Sequence, residues 1–311
     1  MSKSYAIIGT GAIGGFYGAK LSRAGFDVHF LARSDADFIR SNALFVDSVD
    51  GDFNIPHVNV YRDASSMPRC DVAAIALKST ANGILSHVLP WVVKKDGVVL
   101  VLQNGLGAEE DIVKIVKGAS VLGVLCYVCA IKTEPGRIKH LAFGHVTIGQ
   151  FAANGRPSGI TSTIRDINAD FSKAGIVSEN LPDLGAARWK KLVWNIPYSG
   201  LSVVLSSTTE AINANPHSRQ LAHDIMTEVC VAAAACGHPL EQSVVDAMLI
   251  YTDTLPPYAP SMKLDYDAKR PMEVESIFGN PLQAAQSAGV HVPRLEMLYR
   301  ELAFLDTMNQ T

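Results

Sequence analysis

The sequence predicts an α/β protein in two parts. Residues 1–181 read as an N-terminal Rossmann-type dinucleotide-binding domain and residues 182–311 as a C-terminal all-helical domain. Three observations carry this. A glycine-rich turn joins an apolar run to a helical pattern at the start of the chain. Further strand-length runs are apolar throughout, as in parallel sheets buried on both faces. From about Leu184 the apolar residues recur almost wholly at helical period.

Tyr5–Ile8 forms the first apolar run, and "GTGAIGG" then sets Gly9, Gly11 and Gly14 in G-x-G-x-x-G spacing. Gly9 permits the tight turn, Gly11 lets a pyrophosphate approach the backbone, and Gly14 lets the helix pack on the strand. With Thr10, Ala12 and Ile13, the turn presents unpaired N–H groups and the positive end of a helix dipole to phosphates. The helix carries Ile13, Tyr17 and Leu21 on one face and ends near Gly25, before a second strand, "DVHFLAR". NAD-specific domains usually end that strand with an acid for the ribose 2′-hydroxyl. Arg33 stands there instead, and a guanidinium suits a 2′-phosphate in charge and geometry. Asp35 follows closely and could point back to the ribose. The expectation is NADPH, with Arg33 as phosphate ligand rather than a solvated loop residue.

"CDVAAIALKS" and "GVVLVLQNG" are further buried strands, separated by a helix containing Ile84, Leu85, Val88 and Trp91. Open α/β sheets place ligands at the carboxyl ends of their strands, which makes Lys78 and Asn104 candidates for cofactor contact. Asn104-Gly105 is equally good turn chemistry. "SVLGVLCYVCAI" reads as a buried strand. Its C-x-x-C has redox or zinc spacing but lacks a second cysteine pair, and its apolar setting favours packed thiols. "PGRIKHLAFGHVTIGQF" suits antiparallel strands closing the first domain, with His140 and His145 in structural or surface roles. "ANGRPSG" is a loop by composition, and a final βα-like stretch leads to the boundary near residue 181.

The second part opens with "RWKKLVWNIPYS". At about 100° per residue, Lys191, Asn195 and Ser199 share a narrow arc, with Leu192, Val193 and Ile196 opposite. Lys190, roughly a quarter-turn from Lys191, belongs to the surface. A solvated face is the ordinary explanation of such a row. The longest helical stretch is "TTEAINANPHSRQLAHDIMTEVCVAAAACG", with Leu221, Ile225 and Val229 at four-residue spacing. "TLPPYAPSMKLDYDAKRPMEVES" then interrupts the helices with prolines and a dense polar set. A helical domain after a nucleotide-binding one implies a substrate cleft between them.

Composition excludes several classes. A net charge of -3 without a dense basic run gives no case for nucleic acid. No apolar run approaches the roughly 20 residues of a membrane span, and "MSKSYAIIGTG" is no leader peptide, so a cytoplasmic protein is expected. Five scattered cysteines do not make a disulfide framework, and no metal-ligand pattern emerges. The alanine-rich helices leave a homodimer open.

Together "GTGAIGG", "LKS" at Lys78, "QNGLG" around Asn104, "RWKKLVWN" around Lys191 and "PSMKLDYDAKRPMEVE" from Pro260 to Glu275 resemble the ketopantoate reductase (2-dehydropantoate 2-reductase) family over nearly the whole chain. The resemblance implies reduction of the ketone of a 2-oxo acid with NADPH. It further implies Lys191 as catalytic general acid and Glu273 as active-site glutamate, also near the cofactor. Asn195 and Ser261 match substrate-binding positions, and Lys78 and Asn104 match positions touching cofactor or catalytic lysine. A lysine is protonated at neutral pH, its ordinary pKa being ~10.4, and can supply proton and charge to a developing alkoxide.

Two departures concern the substrate. Ser199 stands where ketopantoate enzymes carry a second asparagine, after Pro197, which is expected to kink the helix. Glu275 stands where aspartate is more usual. A paralogue acting on another branched or aromatic 2-oxo acid is therefore the alternative. A non-catalytic NADPH-sensing protein is a third reading, against which the intact Lys191, Asn195, Ser261 and Glu273 speak.

Overall fold

The computed structural model describes residues 3–153, 155–241, 243–255 and 259–310. Pro256 and Pro257 of the expected polar loop, and Asn154 of "ANGRPSG", lie outside the described residues. The chain divides into two compact units. One takes the chain up to Gln103 and again Ala108–Leu184, and the other takes Asn104–Gly107 and the chain from Gly185 onward.

The first unit is built on one sheet. Its strands are β1 (Ser4–Ile8), β2 (Asp27–Leu31), β3 (Leu44–Ser48), β4 (Phe53–Ile55), β5 (Asn59–Tyr61), β6 (Cys70–Ile75), β7 (Val93–Val101), β8 (Ser120–Glu134), β9 (Arg137–Gln150) and β10 (Ser178–Leu181). Its helices are α1 (Ala12–Arg23), α2 (Ala36–Ser41), α3 (Leu85–Val92), α4 (Ala108–Ile115) and α5 (Ser162–Lys173). The spatial order runs β4-β3-β9-β8-β7-β6-β1-β2-β5, with β10 also on β9. From β5 through β2, β1, β6 and β7 to β8 every pairing is parallel. This is the doubly wound order, and its direction reverses between β1 and β6, where such sheets bind nucleotides.

Local rules fix this start. Tyr5–Ile8 are all buried, as a central parallel strand requires. Helix α1 stops where Gly25 turns left-handed (φ +83°). There Gly25 N–H donates to Ser22 O and Phe26 N–H to Leu21 O, which closes the last carbonyls in a Schellman motif.

The stretch after residue 134, read as short antiparallel strands, is instead one long strand, β9, paired antiparallel with β8 in a hairpin. "CYVC" differs from expectation. Only the first half of β8 is buried, and Cys126 and Cys129 are half-buried where the hairpin runs out beyond β7. Burial still pushes the Cys129 thiol up, as it does Cys70 and Cys230, both to about 11. His140 is structural: Nε2 lies 3.1 Å from Phe143 O, Nδ1 2.8 Å from Ser48 Oγ, and the ring packs on Phe16.

The second unit is helical: α6 (Leu184–Val204), α7 (Thr209–Ala214), α8 (Pro216–Ala235), α9 (Val244–Asp253), α10 (Ser261–Asp267), α11 (Asn280–Ser287) and α12 (Pro293–Asn309). A π-helical turn, Glu275–Gly279, leads into α11. The stretch expected as the longest helix is two, because Pro216 ends α7 and starts α8. Asn215 caps α8, its side chain accepting from His217 N and Ser218 N. Helix α6 is the longest and runs through Pro197 without a break. One core joins Leu192, Val193 and Ile196 of α6 to Ile225 and Val229 of α8 and to Met272, Val274 and Phe278 around the π-turn.

Candidate active site

In the first unit, the glycine turn sits at the reversal point of the sheet. Gly9 N–H donates to Leu31 O, and Ala76 N–H to Ile8 O, so the ends of β1, β2 and β6 converge there. A Cβ on Gly9 (φ +101°) would stand 2.8 Å from Leu77 Cδ2, and one on Gly14 would stand 2.0 Å from Gly9 O. These two glycines are therefore needed by the packing itself. Gly11 differs: a Cβ there would meet nothing within 4 Å. The helix start beyond it carries no acid in its first turn. Open space over unpaired N–H groups fits a pyrophosphate. Thr10 is buried, while Ala12 and Ile13 are half-buried.

Arg33 is exposed and, among the described residues, its guanidinium has no partner. Asp35 does not point back to a ribose. It is 2% exposed and bound to Lys132 Nζ at 2.5 Å. Lys78 is exposed at the end of β6, at the start of a short 3-10 turn (79–84). Gln103 Nε2 steadies that loop by donating to Leu77 O at 2.9 Å and Asn82 Oδ1 at 2.6 Å.

In the second unit, the polar row of α6 is not a solvated face. Lys190 is exposed, Lys191 half-buried, and Asn195 and Ser199 are only 9% and 5% exposed. Among the described residues neither the Asn195 amide nor the Ser199 hydroxyl has a hydrogen-bond partner. Neither polar group is sealed from solvent, so both stand open to water or to a small polar molecule bound against this row. Next to Ser199, Tyr198 OH donates to Asn213 Oδ1 at 2.7 Å. Asn213 Nδ2 in turn donates to Asp253, which takes a two-pronged bond from Arg219 at 2.8 and 2.9 Å. That guanidinium holds the Asp253 carboxyl below its usual range, chiefly by hydrogen bonding. The chain of contacts fixes this stretch of α6 against α7, α8 and α9. No spacing in the sequence announces it, because its members lie far apart.

Asn104 enters the same unit from an unexpected direction. Its loop docks on the π-turn, with Leu106 N–H donating to Ser276 O at 2.9 Å and Asn280 Nδ2 to Leu106 O at 2.7 Å. Gly105 (φ +89°) lies so close that a Cβ would stand 2.1 Å from Ser276 O. The Asn-Gly pair is thus turn chemistry and docking surface at once. Glu273, 4% exposed, precedes that π-turn, and Ser276 Oγ donates to its carbonyl at 3.4 Å. Its neighbours Met272 and Val274 are buried in the core that holds α6. Ser261 is exposed at the first turn of α10, whereas Asn195 and Ser199 are buried.

A glycine turn at the switch point of a parallel sheet, followed by a helical unit with a largely buried polar row, is the architecture of a nicotinamide-dependent oxidoreductase. The comparisons narrow this. Residues 5–153 match the family model "Ketopantoate reductase PanE/ApbA", and residues 183–306 match its C-terminal counterpart. A 2-dehydropantoate 2-reductase of Nostoc sp. is 50% identical, over 99% of this chain and 97% of that protein. The crystal structure of 2-dehydropantoate 2-reductase from Geobacter metallireducens superposes with a TM-score of 0.91 at 38% identity, covering 98% and 99% of the two chains. That of the Methylococcus capsulatus enzyme gives 0.89 at 30%, covering 99% and 98%. The chain belongs to the ketopantoate reductase family.

Proposed function

We propose that this protein reduces 2-dehydropantoate to pantoate with NADPH, with Lys191 as general acid, and thereby serves pantothenate synthesis. The observation that carries the reading is the largely buried polar row of α6, whose Asn195 and Ser199 side chains have no hydrogen-bond partner among the described residues. A small polar substrate supplies one. The kinship with enzymes named for this reaction supports the choice of substrate.

When bound, the nicotinamide supplies a hydride to the carbonyl carbon. The residues of this chain do the rest. Lys191 Nζ holds the proton that passes to the carbonyl oxygen as negative charge builds there, and its charge stabilises that oxygen. Asn195, one turn on, orients the substrate by hydrogen bonding, and Ser199 bounds its far side. Ser261 and Glu273 anchor its hydroxyl or carboxylate groups. Gly9, Thr10, Gly11, Ala12, Ile13 and Gly14 cradle the pyrophosphate, and Lys78, Asn104 and Glu273 flank the cofactor. Arg33 takes the 2′-phosphate, a role supported by a guanidinium that has no partner among the described residues and by the engagement of Asp35 elsewhere.

The test is NADPH consumption by the purified protein against a panel of 2-oxo acids that includes ketopantoate. Efficient turnover of ketopantoate alone is expected. Turnover only of other 2-oxo acids would keep the lysine chemistry and replace the substrate, pointing to Ser199. Tight NADPH binding without turnover of any would overturn the reading in favour of a sensor.

A further inference from the structure

An acid two residues beyond Arg33 is a liability in a site built for a 2′-phosphate. It repels the phosphate, and a free carboxylate in that region favours a ribose hydroxyl instead. Asp35 is that acid, and it is held on every side. Lys132 Nζ lies 2.5 Å from Oδ2, Ser34 Oγ donates to Oδ1 at 2.9 Å, and Gly136 N–H approaches Oδ2 at 3.4 Å. Lys132 and Gly136 belong to the far end of the β8–β9 hairpin.

That hairpin end is fastened to the segment following Arg33. Phe45 N–H donates to Gly136 O at 2.8 Å, and a Cβ on Gly136 would strike Phe38 of α2 at 2.8 Å. The next acid along, Asp37, is also occupied: Arg40 Nη1 bonds it at 3.1 Å, and Arg62 pairs with it as well. Of these three arginines, Arg33 is the one without an acid among the described residues. The arrangement neutralises the local carboxylates and leaves one cation unspent.

We propose that Lys132 is a specificity-determining residue for the cofactor. By pairing with Asp35 it neutralises that carboxylate and turns it away from the 2′-position, so that Arg33 meets the phosphate unopposed. This rests on the NADPH reading given above. The same contact would also staple the hairpin to α2, but loss of a staple lowers stability without changing the ratio of two cofactor affinities. The ratio is therefore the readout.

The experiment is calorimetric titration of NADPH and NADH into the wild type and three variants, Lys132→Met, Asp35→Asn and the double variant. The local charge changes by one negative unit, one positive unit and none, in that order. The NADPH-over-NADH preference is expected to fall at least about fivefold in Lys132→Met, to rise at least about twofold in Asp35→Asn, and to return to the wild-type value in the double variant. An unchanged ratio in Lys132→Met, or a double variant as impaired as that single one, overturns the proposal. Should Lys132→Met not fold, Asp35→Asn decides alone: a rise supports the proposal, and an unchanged or lowered ratio overturns it. A wild type with no preference for NADPH would instead sink the cofactor reading itself. A preference that stays flat across the variants sinks only the role of Lys132.

Discussion

Substituting alanine at Gly105 tests the docking of the Asn104 loop, and the structure supplies its own control. Gly105 and Gly237 belong to the same unit and share a left-handed backbone, φ +89° and +86°. Around Gly237 a Cβ meets nothing within 4 Å, whereas at Gly105 it would stand 2.1 Å from Ser276 O and 2.4 Å from Ser276 C. The backbone cost, about 1–2 kcal/mol, is common to both variants and cancels. What remains at Gly105 is the clash, worth about 1–3 kcal/mol if the neighbours shift to absorb it. The bond from Leu106 N–H to Ser276 O is also strained or lost, at about 1 kcal/mol. Gly105→Ala should therefore be less stable than Gly237→Ala by about 3 kcal/mol. For a unit of this size that is a difference of about 9 °C in Tm. Scanning calorimetry measures it. The loop could instead undock while the unit stays folded, so kcat/KM is measured alongside, and undocking would lower it by displacing Asn104. If Gly105→Ala matches Gly237→Ala in both Tm and kcat/KM, the loop is not held as described.

Three further outcomes are expected. Lys191→Ala should lower kcat by about 10²–10⁴-fold while changing NADPH affinity less than about twofold, and Lys190→Ala, at an exposed position, should change neither; equal activity in the two variants removes Lys191 from the chemistry. Arg33→Ala should weaken NADPH by about 1.5–3 kcal/mol and NADH far less, so an equal loss for both in a binding titration refutes the phosphate contact. Asp71 is held at about 2, below the usual carboxylate range, chiefly by Lys94 and then by the Ser4 backbone N–H. Its pairing therefore stabilises the fold above about pH 4 and stops doing so as pH falls through about 2. Because the pair is partly exposed, Asp71→Asn should cost only about 1 kcal/mol or less at pH 7. In urea titrations the gap from wild type should close as pH falls from about 4 to 2, and a gap independent of pH would contradict the assignment.

The sequence by itself determined the strand, glycine turn and helix at the start, the buried strands β6 and β7, and the helical character of the second half. Each depends on rules that act over a few residues. Gly9 is needed where the chain must turn with φ +101°, and Gly14 where a side chain would collide with the turn just before it. The alignment of Lys191, Asn195 and Ser199 was equally legible, since helical rotation alone produces it. Whether that row faces water was not. Its burial is decided by what packs around α6, and by the Tyr198–Asn213–Asp253–Arg219 chain that fixes it. Asp35 reads in sequence as free to point back to a ribose, whereas in the fold its carboxylate is buried and paired with Lys132 of a distant hairpin. Asn104 likewise reads as the end of β7, yet its loop joins the helical unit through Ser276 and Asn280. Patterns of a few residues settle backbone conformation because the forces that set it are local. The partner of a charge or the cover over a polar face is chosen by residues that meet only once the chain has folded.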